Sequence, residues 1–443
     1  MRGAVAIIDV ARPHSLGLAA LQRLEAFNAD VAAQTRAGAP MCVLVRTAAG
    51  GQQQVFGAEA DRRELVRRAR AGDPAYGMAL LRAEYGNTAA ISRITAPYVL
   101  LLDGHVSGGG MGVAVPTTFR VATERTVVSL PEVALGLFPD AGASALLQRL
   151  PGCLGRWLGL TGLPLTGAEV RDAGIATHLV PAACLPELES ALVALGPRAA
   201  DRVAVDCILK SFEGRWPPHQ QHQQQLRLKI SLINEHFSRG SVEAVVASLE
   251  AAVAAAPAAP QQGAGPEHAA AAAAFLRDTL VAMQRGSPLS QAVTWELLRR
   301  ASGQPPSCAV AANGPAAAMP PAAAMGINAC NGELTGGSTA ASSSGSSHGS
   351  SSKSLLQVLE LEYVAACRCM AGQGDFYEGV RAGLIDRDGR PAWRYGSVSA
   401  VPAAAVHGMF EPLPGQPLLA PQLHRDWSVG AYPQWPVWPS SRL

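Results

Sequence analysis

Leu102-Asp-Gly-His-Val-Ser-Gly-Gly-Gly-Met-Gly112 is the stretch from which the rest of the chain can be read. The apolar run leading into it, Tyr98 to Leu102, predicts a buried strand. Glycines 108 to 110 then allow the backbone to turn tightly and open a helix whose first amides lack intrahelical partners. Preorganised N–H groups of this kind can stabilise charge that develops on a carbonyl oxygen, and a side chain at the glycine positions would obstruct them. A glycine triplet by itself reads equally well as a tight strand-to-helix turn that needs close backbone approach. What tips the balance lies downstream. Pro131-Glu132 and Phe138-Pro139-Asp140 bring two carboxylates within reach of the same candidate pocket, a combination suited to acyl transfer.

Several further segments carry a resemblance. Phe119-Arg-Val-Ala-Thr-Glu-Arg125, Leu130-Pro-Glu-Val-Ala-Leu-Gly-Leu-Phe-Pro-Asp-Ala-Gly142, Ala173-Gly-Ile-Ala-Thr-His178 and Asp375-Phe-Tyr-Glu-Gly-Val-Arg-Ala-Gly-Leu-Ile-Asp386 are similar to segments of the 3-hydroxyisobutyryl-coenzyme A hydrolases, as is Arg82-Ala-Glu-Tyr85. These enzymes belong to the crotonase, or enoyl-CoA hydratase-isomerase, superfamily, and the resemblance covers most of the chain. It implies that the Gly109 and Ala60 amides grip the thioester oxygen and that Glu132 is the principal catalytic carboxylate. Asp140 and Glu84 match two acidic positions lining the acyl end of the pocket, so the implied substrate-binding set is Glu84, Gly109, Glu132 and Asp140. Hydrolysis of a thioester needs a base to activate water or a carboxylate nucleophile that forms a mixed anhydride, and one glutamate can serve either way.

The position after the glycine triplet discriminates between activities. Hydratases of this superfamily usually place a second glutamate there, whereas this chain has Gly112, which favours hydrolysis with Asp140 as the distinguishing acid. The expected reaction is cleavage of a short branched 3-hydroxyacyl-CoA, foremost 3-hydroxyisobutyryl-CoA in valine breakdown. The alternatives are an enoyl-CoA hydratase or isomerase and a non-catalytic acyl-CoA-binding relative. Two departures stand out. Phe56-Gly-Ala-Glu-Ala-Asp61 has Glu59 where the family usually has glycine, a cost of about 1 kcal/mol if positive φ is required there. Arg12-Pro-His-Ser-Leu16 is a diluted version of the family's early coenzyme-contacting turn. Without the family, Glu132 also reads as a helix-start acid after Pro131, Asp140 as a turn or N-cap residue, and Glu84 as part of a solvated face.

Composition narrows the partners. In a chain of 443 residues, 36 basic and 34 acidic residues leave a net charge of only +2, so no field of one sign favours nucleic acid or a membrane surface. A small acyl-CoA substrate fits better, with coenzyme A as part of the substrate and no separate cofactor. Arg62, Arg63, Arg67, Arg68 and Arg70 on one helix read either as a phosphate-contacting cluster or as a solvated basic face. The eight cysteines contain no Cys-x-x-Cys pair and the histidines do not cluster, so no metal is implied; His105 reads as structural. No apolar run is long enough to span a bilayer, and strand-like residues begin at Ala4 with no leader expected. Ser441-Arg442-Leu443 resembles a peroxisomal address, which gives an import receptor as partner and the peroxisome as expected location, with the mitochondrion as the alternative. A homo-oligomer is a further expectation.

Along the chain, β-rich runs at 5–10, 41–45, 98–102 and 126–130 alternate with helical segments, which predicts an α/β fold. The resemblance makes it a crotonase-like ββα spiral core with a helical C-terminal region. The expected organisation is a spiral core over 1–190, a helical region over 191–301 and a helical segment over 354–412 that completes the acyl pocket. Residues 302–353 are rich in Ala, Gly, Ser and Pro and read as a disordered insertion, 254–266 as a shorter flexible link, and 413–443 as an extended tail.

Overall fold

Alternation along the strands determines where the core lies. In a computed structural model that describes residues 4–10, 17–47, 55–56, 62–71, 73, 75–216, 220–255, 266–303, 352–415 and 419, the chain builds two sheets flanked by helices. The strands are β1 (Val5–Val10), β2 (Cys42–Thr47), β3 (Val55–Phe56), β4 (Tyr98–Leu102), β5 (His105–Val106), β6 (Phe119–Ala122), β7 (Val127–Val128), β8 (Leu165–Thr166) and β9 (His178–Leu179). The first sheet runs β1-β2-β4-β6-β9 and is parallel throughout, with Val43 opposite Tyr98 and Leu100 opposite Arg120. The second runs β3-β5-β7-β8 and closes with an antiparallel pair. This is the α/β architecture that the strand spacing predicts.

Both faces of the first sheet are covered, as parallel sheets require. Cys42, Leu44, Val99, Leu101 and Val121 face one core, and Val43, Val45, Tyr98, Leu100 and Leu102 face the other, which is the period-two alternation of a strand.

The helices follow in chain order: α1 (Leu18–Arg36), α2 (Arg62–Arg70), α3 (Ala75–Ile91), α4 (Gly109–Ala114), α5 (Ala143–Leu147), α6 (Leu154–Thr161), α7 (Ala168–Asp172), α8 (Leu185–Ala194), α9 (Arg202–Glu213), α10 (Gln220–Phe237), α11 (Val242–Ala255), α12 (Pro266–Arg285), α13 (Pro288–Ala301), α14 (Leu355–Met370), α15 (Phe376–Val380) and α16 (Ala403–Gly408). A 3-10 turn, Pro131–Leu135, and a π turn, Arg381–Ile385, complete the set that matters here. Leu188, Leu192, Val205 and Leu209 of α8 and α9 line the smaller core on the outer face of the sheet.

Helix α3 is the spine on which the site is built. Seven of its residues from Leu80 to Ala89 other than Glu84 are buried, and Asn87 ties it to its neighbour by donating to Leu21 O (2.9 Å) and Ala83 O (2.9 Å). Asn28 donates to Asn87 Oδ1 at 3.2 Å and accepts from the Tyr98 hydroxyl at 3.3 Å, so α1, α3 and β4 share one buried polar chain. Satisfied networks of this kind fix one register, because slipping any member would leave a buried group without its bond. Helix α14 packs against the opposite side of α3 and begins with a capping box, Ser354 and Gln357 exchanging side-chain and backbone bonds.

The two segments read as a flexible link and a low-complexity insertion fall mostly on residues 256–265 and 304–351, outside the described residues, as does nearly all of the tail after Gly415.

Candidate functional site

Strand β4 ends at Leu102, and the next residues are clamped before the glycine turn begins. Arg125 Nε and Thr123 Oγ1 both donate to Asp103 Oδ1 at 2.8 Å, and Arg125 adds a second bond to Asp103 Oδ2. Gly108 then adopts φ 51° and ψ −127°, a conformation that favours glycine, and α4 starts at Gly109. The Gly110 and Met111 amides are used locally, on Ser107 O (3.0 Å) and Gly108 O (2.8 Å). Among the described residues no acceptor meets the buried Gly109 amide, so the turn leaves that N–H available at a helix start. His105, the histidine of this loop, bonds Ser129 Oγ at 2.7 Å on the partly exposed rim, in keeping with a structural role.

Three carboxylates predicted from the sequence come together beside this turn. Glu84 on α3, Glu132 in the 3-10 turn and Asp140 before α5 are all buried, and each acts electrostatically on Glu84 or is Glu84 itself. Glu84 therefore does not lie on a solvated face. Burial, then the Asp140 charge, pushes its carboxyl up to about 8, with Glu132 adding to the rise and the Arg62 guanidinium opposing it. Burial likewise raises Asp140, held back chiefly by Arg62 and by the Tyr85 hydroxyl, which donates to Asp140 Oδ2 at 3.3 Å. Arg62, the first residue of α2, is buried with this cluster, so it does not belong to the basic face on which the sequence placed it. Two residues of that face are engaged with acids: Arg67 donates to both oxygens of Glu64 (2.6 Å each), and Arg68 reaches Glu64 (2.8 Å) and Asp73 (3.2 Å).

The turn that carries Asp140 is unusual. Ala141 has φ 54° and Gly142 φ 94°, two successive left-handed residues, of which the alanine costs about 1 kcal/mol. What holds it is Glu362 on α14, fully buried, whose Oε2 accepts from the Gly142 amide at 2.6 Å and whose Oε1 accepts from the Ser144 amide at 2.9 Å. Burial pushes Glu362 up to about 8 despite those two amides, which lower it. The sequence reading passed over this residue. Its signal was there: Leu355, Leu359, Glu362, Tyr363 and Ala366 share one face of α14, so Glu362 is a carboxylate standing on an apolar stripe.

The late segment backs the Glu132 turn in the same way. Gly136, at φ 71°, ends the 3-10 turn, and a Cβ there would sit 2.2 Å from Asp375 O; a Cβ on Gly379 would meet the Leu135 carbonyl carbon at 2.2 Å. Asp375 itself accepts from Ser287 Oγ at 2.6 Å and from the Arg394 amide at 3.1 Å. Both carboxylate-bearing turns thus rest against chain that follows residue 353.

Gly112, the position that separates hydratases from hydrolases by sequence, is closely packed, so a larger residue there would require its neighbours to shift by a few tenths of an ångström. A Cβ there would lie 3.0 Å from Thr88 Oγ1 and 3.1 Å from the Ala141 Cβ. The Ala60 amide, Glu59, the Arg12–Leu16 turn and the Ser441-Arg442-Leu443 tail lie outside the described residues.

The sequence pattern of the enoyl-CoA hydratase/isomerase family matches residues 5–311 and 337–410. The chain belongs to that family. Among curated members, the mitochondrial 3-hydroxyisobutyryl-CoA hydrolase of Gallus gallus is 31% identical over 412 residues, covering 93% of this chain and 88% of its own. The probable 3-hydroxyisobutyryl-CoA hydrolase 2 of Arabidopsis thaliana is 31% identical over 363 residues, covering 82% and 78%. Of solved family folds, a carnitinyl-CoA dehydratase from Mycobacterium thermoresistibile superimposes with a TM-score of 0.68 at 27% identity, covering 95% of this chain and 97% of its own. An enoyl-CoA hydratase from Rhodobacter sphaeroides gives 0.65 at 28%, covering 93% and 95%. The crotonase-like fold and the family expected from the sequence are therefore both found. The Gallus gallus, Rattus norvegicus and Bos taurus hydrolases are named mitochondrial, which supports the mitochondrial alternative over the peroxisomal expectation. Among the described residues no helix is long and apolar enough to cross a membrane.

Proposed function

We propose that the chain hydrolyses a short branched 3-hydroxyacyl-CoA thioester, 3-hydroxyisobutyryl-CoA to 3-hydroxyisobutyrate and coenzyme A, as a step of valine catabolism. The names of its curated relatives support this substrate. The observation that carries the reaction type is the pairing of a closely packed glycine at position 112, where no acid stands, with a buried triad of Glu84, Glu132 and Asp140. Hydration of an enoyl thioester calls for two acid/base groups, one after the glycine turn, and this chain has Gly112 there, closely packed by Thr88 and Ala141.

In this reading the thioester oxygen lies against the Gly109 amide, with the Ala60 amide as the second donor, and negative charge on that oxygen is stabilised as the carbonyl carbon becomes tetrahedral. Glu132 takes the proton of an attacking water, or itself attacks to give an anhydride that water then opens. In either route the C–S bond breaks, the acyl group leaves as a carboxylate and a proton ends on the coenzyme A sulfur. Asp140 and Glu84 face the acyl group, and the protonated form favoured at Glu84 offers a donor to a substrate hydroxyl.

Purified chain should be assayed against a panel of acyl-CoA thioesters with a thiol-reactive dye. Thiol release that is fastest with 3-hydroxyisobutyryl-CoA is the expected result. An intact thioester together with hydration of crotonyl-CoA would replace this reading with a hydratase, and binding without turnover would replace it with a non-catalytic relative. Location is read from the relatives' names as mitochondrial. A fluorescent protein fused ahead of residue 1 leaves Ser441-Arg442-Leu443 free, and its appearance in peroxisomes would reverse that placement.

A further inference from the structure

We propose that Glu362 is a positioning residue for the thioester reaction: by gripping the amides of Gly142 and Ser144 from α14, it holds the Asp140 carboxyl at the angle the acyl group requires. The inference deepens the hydrolase reading and rests on it. Glu362 is fully buried, and its two oxygens are matched one to one with two backbone donors, at 2.6 and 2.9 Å. Those donors flank the start of α5, Gly142 as the residue before it and Ser144 in its first turn, and would otherwise be buried without intrahelical partners.

The turn's own bonds, from the Ala143 amide to Asp140 O at 3.0 Å and from Ser144 Oγ to Pro139 O at 3.4 Å, leave the Gly142 and Ser144 amides to Glu362. Ala141 at φ 54° sits in a region that disfavours a side chain, and the conformation persists only where the surroundings impose it. Release from Glu362 lets Ala141 relax, and because Asp140 is the preceding residue its carboxyl swings with the backbone. Tyr85 reports the same geometry from the other side: its hydroxyl meets Asp140 Oδ2 at 3.3 Å, and its ring packs edge-on against Tyr363, the neighbour of Glu362, at 5.6 Å between centroids. Asp140 is thus located by two adjacent residues of α14, one directly through the turn and one through Tyr85.

A double-mutant cycle tests the role. Glu362→Gln keeps the size and one acceptor oxygen but turns an NH2 toward one of the two amides. With 3-hydroxyisobutyryl-CoA, kcat should fall by about 10- to 100-fold while KM changes little, the scale of a small misplacement of a reacting group. In an Asp140→Asn background the same substitution should cost less than about two-fold, since the group it positions is already gone. Losses that multiply in the double variant would overturn the proposal, because a general loss of stability does not depend on whether Asp140 is present. Glu362→Asp serves as the second variant. It keeps the carboxyl group but is one methylene too short to span both amides, so it should lose rate like the glutamine variant, and wild-type turnover in it would also overturn the proposal. Thermal melts establish that each variant is folded at the assay temperature. A wild-type chain that releases no thiol from any acyl-CoA would sink the hydrolase reading; an active wild type with multiplicative losses would sink only the positioning role.

Discussion

The two halves of the site are written into the chain in different ways. The glycine turn is local: strand β4, the turn and the start of α4, with the Thr123 and Arg125 clamp on Asp103, fall within fewer than thirty consecutive residues, and the feature on offer is a main-chain amide. The carboxylate half is assembled from α3, the 3-10 turn, the Asp140 turn and α14, segments that meet only through tertiary packing. A backbone donor can be placed by glycines alone. A cluster of buried acids cannot, because each added charge raises the cost of the next, and the fold must supply Arg62, Tyr85 and two amides to hold them.

That contrast can be broken at its strongest point by Glu132→Gln. Thiol release should drop by about 1000-fold, within the range for removing a positioned acid or base, while binding of a non-hydrolysable acyl-CoA thioether persists. Unchanged turnover would remove the carboxylate half from the chemistry altogether. Gly112→Glu probes the seam between the halves. Its Cβ would press on Thr88 and Ala141, so the variant should lose about 1–3 kcal/mol of stability, as overpacked cores do, and gain no hydratase activity. Hydration of crotonyl-CoA by this variant would show that the seam is adaptable and that fold does not forbid the second acid.

Much of the local half was legible in advance, since glycine spacing and an apolar run carry their own geometry. Strand β4, the Gly108 turn and α4 fall where the residues put them. Of the carboxylates, Glu132 and Asp140 stand out in the sequence because each follows a proline in a dense motif, and Glu84 through the resemblance of its segment to the family. Arg62 was misread, since a run of basic residues on one helix looks solvated until α2 is seen to bury its first residue. Glu362 was missed because α14 reads as an ordinary amphipathic helix, and only the packing of α14 on α3 turns its single acidic stripe position into a ligand for distant amides.

The pH response sharpens the comparison further. A carboxyl raised from 4.5 to about 8 binds its proton more tightly in the folded chain than in the unfolded one. Its contribution to stability is complete below the unfolded value and is lost as pH climbs toward the folded one. Glu84→Gln, a neutral isostere, escapes that loss, so its melting temperature should gain on wild type as pH rises from about 4.5 to 8. A relative shift of about 1 °C corresponds to roughly 1 kcal/mol in a chain of this length. A difference that stays flat with pH would mean Glu84 is ionised throughout. The smallest effect is expected from Arg67→Ala and Arg68→Ala. Both side chains are already engaged with the partly exposed Glu64, so KM for acyl-CoA should change less than about two-fold. A larger rise would return the helix face to the coenzyme.

Glu362 accepts from an amide 220 positions earlier in the chain. At a synthesis rate of about 5–20 residues per second, roughly 10–40 s separate the emergence of those two partners from the ribosome. During that interval the growing polypeptide already carries Glu84, Glu132 and Asp140 but not the tie that orients the last of them. Until α14 emerges, the Gly142 and Ser144 amides lack the carboxyl group that receives them, and on the positioning proposal a message cut short before α14 would yield a product whose Asp140 is left unaligned.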